Sequence, residues 1–206
     1  MSNARKTEQR IREAAFRALA EHGYTDLTLV DIGDELGQNP SLIYHYFDSK
    51  DELLLSMLDV FVDLFVGRRA EEPIDDPEAA LRTFVSQLLH PDPTRVDEVM
   101  ESPPADIETA LSRVFVELWA HATWDDAFRA ETTAIETRVH ETIARILRVG
   151  IERGRFVSVD PELTADHVFF LLKQGLHTRT TTDSGTATDR VERITDTIID
   201  DLSTSD

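Results

Sequence analysis

Residues 28–58 read TLVDIGDELGQNPSLIYHYFDSKDELLLSML and predict two short helices, a tight turn and the start of a third helix. Thr28 and Asp31 have the spacing of a capping box, in which each side chain bonds to the backbone N–H of the other residue. Gly37 is a natural stop, because glycine adopts the left-handed conformation that ends many helices. The first helix is therefore expected over residues 28–36.

A second helix is expected directly after this stop. Asn39 is a good N-cap, and Pro40 suits the first helical position because its missing N–H would have no partner there. Two helices joined by a short connection that contains glycine are typical of a helix-turn-helix. Ile43 and Phe47 lie four residues apart and share the inner face, so the remaining side chains point outward, toward a DNA groove.

The third helix opens with Ser49 and Glu52, which again have capping-box spacing. This start places Lys50 in the first turn, where the positive end of the helix dipole disfavours a cation. A DNA phosphate beside Lys50 would explain the position, and a solvated surface lysine is the alternative. The local chemistry does not separate the two.

A set of residues between positions 11 and 53 keeps a defined spacing: Ile11, Ala14, Ala15, Leu19, Gly23, Tyr24, Thr28, Ile32, Gly37, Tyr44, Phe47, Lys50 and Leu53. With this spacing the N-terminal part resembles the DNA-binding domain of the tetracycline-repressor (TetR) family of transcription regulators. Four positions depart from the family pattern. They are Gly33 for a usual alanine, Gln38 for an aliphatic residue, Pro40 for a polar or basic one, and Leu42 for a small polar one.

The resemblance implies double-stranded DNA as a partner. The expected DNA-binding residues are Thr28, Gln38, Asn39, Ser41, Leu42, Tyr44, His45 and Lys50. It also implies an effector pocket among the middle helices, for an unidentified and largely apolar small molecule. Aromatic candidates for its lining are Phe61, Phe65, Phe84, Phe115, Trp119, Trp124 and Phe128, with Glu117 or His121 as a polar contact. The alternative is that these aromatic side chains are simply core.

The remainder of the chain predicts helices throughout. Asp76-Pro77 and Asp160-Pro161 are helix starts, and the four prolines of residues 91–104 indicate a loop with at most one turn. The expected fold is all-α with about nine helices: a three-helix DNA-binding domain over residues 1–50, and an effector-binding and dimerisation bundle over residues 51–206. Residues 150–176 also resemble the C-terminal part of the TetR family, through Gly154-Arg155-Phe156, Asp160-Pro161 and Gly175-Leu176. In that family the last two helices pair with those of a second subunit.

Composition favours a cytoplasmic protein, since the chain has no cysteine, no apolar run that could span a bilayer and no signal peptide.

The net charge of −19 is uneven along the chain. Residues 1–50 carry 6 Lys and Arg against 8 Asp and Glu, whereas residues 51–206 carry 15 against 32. Such acidity resembles proteins of salt-loving organisms, and a GC-rich genome is the alternative source of the preference for Arg over Lys.

Catalytic and metal sites are not expected. Glu136, His140 and Glu141 lie on one helix, but the spacing of a carboxylate-bridged bundle, the His-Glu-x-x-His pattern and a glycine-rich phosphate loop are all missing. The sequence therefore predicts no enzyme and no cofactor.

The sequence favours a ligand-responsive, dimeric repressor on a near-palindromic operator. The alternative is an all-α small-molecule-binding or enzymatic bundle that no longer binds DNA.

Overall fold

The computed structural model describes residues 3–62 and 73–204, and every regular element in this part of the chain is helical. The predicted all-α fold class is confirmed. The helices are α1 (Asn3–Asp26), α2 (Leu29–Leu36), a 3₁₀ helix (Pro40–His45), α3 (Lys50–Val62), α4 (Pro77–Leu89), α5 (Pro93–Val99), α6 (Ile107–His121), α7 (Asp126–Glu152), α8 (Pro161–Thr181) and α9 (Ala187–Leu202). Within the described residues, β structure is limited to an isolated antiparallel bridge between Phe156 and Ser203.

Aspartate caps start several of these helices. Asp76 and Asp160 each accept hydrogen bonds from backbone N–H groups of the first turn, and a proline follows each of them, as predicted. Asp92 and Pro93 act in the same way at the start of α5. The proline-rich stretch 91–104 therefore contains a two-turn helix where the sequence predicts mainly loop.

The chain divides into two compact units. The first is Met1–Val62 with Asp92–Thr132, and the second is Asp63–Pro91 with Thr133–Asp206. Helix α7 begins in the first unit and continues in the second. This structural division places α3, α5 and α6 with the helix-turn-helix, because they share its core. The predicted functional boundary between residues 50 and 51 stays a prediction.

In the first unit, α1 packs against α2, α3 and α6. Its side chains at helical spacing form the centre of this core, and Ile11, Ala14, Ala15, Ala18 and Leu19 have no exposed surface. Burial of this stripe supplies most of the hydrophobic stabilisation available to α1. The helix-turn-helix is thus built on one helix that has a fully buried face.

In the second unit, α8 and α9 pack against each other and both contact α4. A Cβ at Gly175 would lie 3.2 Å from Val191 Cγ2 and 3.3 Å from Leu89 Cδ2, so glycine lets these three helices approach closely. Arg82 ties α4 to α9, since its guanidinium bonds to Glu78, to Asp196 at 2.6 Å and to Asp200.

Among the residues that the structure describes, no helix is both long and apolar enough to cross a bilayer.

Candidate nucleic-acid interface and effector residues

Helix α2 begins with the predicted capping box. The Thr28 hydroxyl oxygen accepts from Asp31 N–H at 3.3 Å, and Asp31 Oδ2 accepts from the Thr28 hydroxyl at 2.6 Å and from Thr28 N–H at 2.7 Å. These bonds from Thr28 lower the pKa of the Asp31 carboxyl, so the group is ionised at neutral pH. The Thr28 hydroxyl proton is therefore already donated within the protein.

The reading segment, residues 38–45, is the part of the helix-turn-helix predicted to face DNA. Its helical part is a 3₁₀ helix rather than the α-helix suggested by the sequence, with Leu42 N–H bonded to Asn39 C=O at 2.9 Å. Asn39 caps it, since its side-chain oxygen accepts from Ser41 N–H at 2.9 Å. The six residues of this 3₁₀ helix make about two turns, with Ile43 buried near the centre.

Burial divides the reading segment as its spacing predicts. Ile43 is 0 % exposed and Phe47, just after the segment, is 4 % exposed, so both belong to the core of the first unit. Tyr44 is 60 % exposed, Leu42 is half-buried, and Gln38, Asn39, Ser41 and His45 are exposed. Two apolar anchors thus hold a small polar face outward.

Lys50 has a position that its sequence neighbours do not reveal. Its ammonium donates to the backbone carbonyls of Tyr24 at 2.8 Å and Leu27 at 3.0 Å, and it lies 4.1 Å from the centre of the Tyr24 ring. A lysine ammonium has three N–H donors, so these bonds occupy two of them. The cation is favourable here because it meets the carbonyls at the end of α1, which is the negative end of that helix. The predicted phosphate contact of Lys50 would use the third donor.

Basic residues near the N-terminus meet an acidic partner. Lys6 Nζ lies 3.1 Å from Glu101 and Arg10 Nε lies 4.0 Å from the same carboxylate, with the side chains roughly half exposed. Exposed ion pairs of this kind contribute about 0–1 kcal/mol, so a phosphate can replace Glu101 at little cost.

Helix α6 contacts α1 where α1 is kinked. Gly23 interrupts the helix with φ +71°, and in a regular helix Tyr24 N–H would donate to Ala20 C=O. Here Tyr24 N–H donates to the Glu117 carboxylate at 3.0 Å, and Ala20 C=O accepts from Arg113 at 3.3 Å. Arg113 and Glu117 lie one turn apart on α6, so one face of α6 bonds to both sides of the kink.

Tyr24 is the centre of this contact. Its ring stacks on His121 with centroids 3.6 Å apart and meets Phe128 edge-on, and its hydroxyl donates to Asp51 at 2.7 Å. Burial and the Asp51 carboxylate raise the pKa of Tyr24, so the hydroxyl keeps its proton. Glu117 and His121, considered from sequence as effector contacts, therefore contact Tyr24. Sequence reasoning missed this role because the partners are about a hundred residues apart.

The predicted effector residues have different environments. Phe84 and Phe128 are 1 % and 0 % exposed, but they belong to different units. Phe115 and Trp119 are half-buried on α6 with ring centroids 5.5 Å apart. Trp124 is 86 % exposed in the turn after α6. Phe65 and the side chain of Phe61 lie outside the described residues. Among the described members of the set, Phe115 and Trp119 form a ring pair that is partly exposed.

A groove of about 400 Å³ lies in the first unit between α1, α2 and the start of α6. Charged side chains dominate its lining, namely Arg17, Glu21, Glu35, Asp106 and Arg113. Arg17 is already bonded to Glu35 at 2.8 Å and to Ser102 C=O at 2.9 Å. Since its lining contains no predicted effector residue, this groove does not match the apolar pocket that the sequence leads us to expect.

The outer surfaces of α8 and α9 carry three exposed large apolar side chains among polar ones. Phe170 is 60 % exposed, Leu163 is 55 % exposed and Ile194 is 48 % exposed. The exposed residues of α8 recur at alternating spacings of four and three, so they form one stripe: Leu163, His167, Phe170, Gln174 and His177. We call this stripe, together with Ile194, the α8–α9 face.

His140 of α7 lies beside two acidic residues of α8, Glu162 and Asp166. His140 lies 3.3 Å from Asp166 and bonds to the Glu162 carbonyl at 3.2 Å. In the described part of the chain, no group of three or more such side chains could hold a metal ion.

Family models match most of the chain. The model described as "Bacterial regulatory proteins, tetR family" matches residues 11–57, and the one described as "BetI-type transcriptional repressor, C-terminal" matches residues 77–204. The second match alone covers more than half of the chain.

Curated relatives match over shorter stretches. The transcriptional repressor NicS of Pseudomonas putida is 33 % identical over 85 residues, which are 40 % of each chain. The transcriptional regulator BetI of Brucella anthropi is 39 % identical over 46 residues, which are 22 % of this chain and 24 % of that protein. The chain thus spans less than half the length of these relatives.

Two solved structures share the whole fold. A TetR transcription regulator from Haloarcula marismortui has a TM-score of 0.80 at 25 % identity, covering 97 % of this chain and 100 % of its own. A transcriptional regulator from Saccharomonospora viridis, solved in complex with choline, has a TM-score of 0.81 at 24 % identity, covering 98 % and 100 %.

Proposed function

This chain belongs to the TetR family of bacterial regulatory proteins, with a C-terminal part of the BetI type, and we propose that it is a ligand-responsive repressor that binds a near-palindromic operator as a dimer. The reading segment carries this proposal, since Ile43 and Phe47 anchor it and Ser41, Tyr44 and His45 face outward. The family is one of regulators, so we expect no catalysis. This function would place the protein with the chromosome in the cytoplasm.

We propose a division of work among the DNA-binding residues. Asn39 mainly caps the 3₁₀ helix, while Ser41, Tyr44 and His45 face the groove or the backbone. The Gln38 amide suits adenine, and the half-buried Leu42 suits a thymine methyl group. Thr28 and Lys50 contact phosphates, which position the protein without reading sequence.

The dimer is supported by the α8–α9 face. Leu163, Phe170 and Ile194 expose apolar surface that a second copy would cover. Most soluble oligomers have two-fold symmetry, which would present two reading segments to one DNA duplex. Their centres should then be about 34–36 Å apart, or a multiple of that. Light scattering at micromolar concentration tests the dimer, and a monomer there would contradict it.

DNA binding itself is tested by selecting duplexes from a random-sequence library with the purified protein. We expect a near-palindromic consensus whose labelled duplex is bound in preference to a shuffled duplex of equal length. Selection that returns no consensus would overturn the repressor assignment.

The effector is proposed to be a small organic cation with an apolar surface, of the class to which choline belongs. Two observations support this class. Phe115 and Trp119 are half-buried on α6, and the face of an aromatic ring attracts a quaternary ammonium. The chain also shares its fold with the regulator solved with choline.

Tryptophan fluorescence tests this effector class. The chain has two tryptophans, so a Trp124→Phe background leaves Trp119 as the reporter. Choline should change its emission saturably and release the operator, and Phe115→Leu should weaken both effects. The neutral isostere 3,3-dimethyl-1-butanol has the same shape without the charge and should do neither. Equal responses to the two compounds, or no response to choline, would exclude this class.

A helical bundle that no longer binds DNA is the second candidate. Lys50 spends two donors on backbone carbonyls, and Glu101 holds both Lys6 and Arg10. These contacts reduce the cations offered to DNA. Choline binding together with failed duplex selection would favour this candidate.

A further inference from the structure

We propose that Gly33 and Pro40 are a matched pair that positions the reading segment for specific DNA recognition. Both residues depart from the TetR pattern, Gly33 from alanine and Pro40 from a polar or basic residue. In the structure they touch each other. The inference rests on the DNA-binding function proposed above and names two positioning residues for it.

The contact leaves no room for a methyl group on Gly33. A Cβ built at this position would lie 2.9 Å from Pro40 Cγ and 3.1 Å from Pro40 Cδ. It would also lie 3.0 Å from the backbone oxygen of Gln38. Carbon atoms in contact prefer about 3.5–4.0 Å, so an alanine would have to displace its neighbours by about half an ångström or more.

The neighbours of Gly33 cannot yield by a simple side-chain rotation. The proline ring is fixed to its own backbone, and the Gln38 oxygen is part of the turn itself. Gln38 N–H also donates to Gly33 C=O at 3.0 Å, which ties the turn to α2. Relief would therefore have to come from a shift of residues 38–40, which lead directly into the reading segment.

Glycine is a poor residue for the interior of the eight-residue helix α2. Its presence there is explained by the proline ring, which fills the space where an alanine methyl would lie. The two departures from the family pattern are thus linked, since the Pro40 ring lies where a side chain at position 33 would begin. Pro40 also fixes its own φ at the start of the 3₁₀ helix, next to the Asn39 cap.

The consequence concerns specificity more than affinity. Gln38 and Ser41 lie close to Pro40 in the chain. Contacts with base edges depend on the placement of these two side chains, whereas phosphate contacts tolerate small shifts. A displaced reading segment should therefore lose preference for the operator and keep its binding to arbitrary DNA.

The test compares Gly33→Ala, Pro40→Ala and the double variant with the unaltered chain. Each is titrated by fluorescence anisotropy with a duplex selected in vitro and with a shuffled duplex, at one salt concentration. We expect Gly33→Ala to lower the ratio of selected to shuffled affinity by about tenfold, the scale of one lost base contact. Pro40→Ala removes the two ring carbons but not the contact with the Gln38 oxygen, so it should restore part of the ratio in the double variant. Val30→Ala, on the exposed side of α2, controls for helix propensity.

An unchanged ratio in Gly33→Ala, or a loss that Pro40→Ala does not restore, would overturn the proposal. If Gly33→Ala does not fold, thermal melting decides: a folded double variant supports the matched pair, and an unfolded one overturns it. An unaltered chain that prefers no duplex would overturn the repressor function, and the positioning role with it. The melting comparison would still show whether the two residues are coupled.

Discussion

The reading segment and the α8–α9 face are both exposed, but they differ in the amount of apolar surface that they expose. The reading segment buries Ile43 and presents Gln38, Ser41 and His45 to solvent. The α8–α9 face presents Phe170 and other large apolar side chains. Polar groups at a protruding turn can pair with base edges and phosphates, whereas exposed rings are stabilised only when another apolar surface covers them. One face is therefore suited to nucleic acid and the other to a second copy of the chain.

Matched core substitutions should separate the two faces most strongly. Ile43 and Ile199 are both 0 % exposed, so alanine at either site should cost about 2–5 kcal/mol of unfolding free energy. Ile43→Ala should abolish operator binding and leave the dimer intact, because the loss lies beneath the reading segment. Ile199→Ala should weaken the dimer, and operator binding as a result. Anisotropy and light scattering report the two properties separately.

A weakened dimer in Ile43→Ala, or an unchanged dimer in Ile199→Ala, would contradict the separation. A melting curve for each variant is the control, since the two must be compared at a temperature at which both are folded.

Charge on the α8–α9 face should have the next largest effect. Phe170→Glu should raise the dimer dissociation constant about a hundredfold or more, since each of two copies loses about 1.5–3 kcal/mol of burial. Trp124→Glu changes an even more exposed ring that belongs to the other unit and should leave the dimer unchanged. Analytical ultracentrifugation measures both constants. If the two variants weakened the dimer equally, exposure of the substituted ring alone, and not its place on the α8–α9 face, would govern association.

Substitution of two lysines, Lys50 and Lys6, tests the proposed DNA-binding role of the first unit. Lys50→Ala removes two charged hydrogen bonds to the end of α1 and should cost about 1–3 kcal/mol, while Lys6→Ala loses only an exposed ion pair and should cost less than about 1 kcal/mol. Lys50→Ala should also weaken binding to selected and shuffled duplexes alike. A changed base preference with unchanged non-specific affinity would show that Lys50 does not act through phosphate.

Salt should produce the smallest shift. Residues 51–206 carry 15 basic against 32 acidic side chains, and their repulsion acts over about 10 Å at 0.1 M salt but only about 3 Å at 1 M. The melting temperature should therefore rise by a few degrees from 0.1 M toward molar KCl. Greatest stability in dilute buffer would refute the salt-adapted interpretation and leave the family assignment unaffected.

Local signals in the sequence predict much of this structure. The Thr28–Asp31 box, the Asn39 cap and the Asp160-Pro161 start all form as their spacing requires, because capping involves neighbours in the chain. Burial of Ile43 and Phe47 follows from their spacing in the same way. These signals are enough to orient the polar side of the reading segment.

Contacts between residues that are distant in the sequence cannot be predicted from local spacing. Lys50 bonds to the carbonyl of Tyr24, and Glu117 bonds to the N–H of the same residue, through folding that brings distant segments together. The contact of Gly33 with Pro40 is also hidden, because a sequence shows two departures from a pattern but not that they touch. Aromatic content likewise does not separate the exposed Trp124 from the buried Phe128, so the aromatic effector set stays a prediction.

The most direct test of the central claim is an anisotropy titration of the full chain with a selected duplex and its shuffled control, from 0.1 M to 1 M KCl. We predict two chains per selected duplex, clear preference over the shuffled control, and a shallow decline of affinity with salt. Each phosphate contact lowers log affinity by about 0.9 per tenfold increase in salt. Because few cations lie near the reading segment, we expect few phosphate contacts and therefore a shallow decline. Equal binding of both duplexes, or no binding at any salt concentration, would contradict the claim that the reading segment recognises an operator.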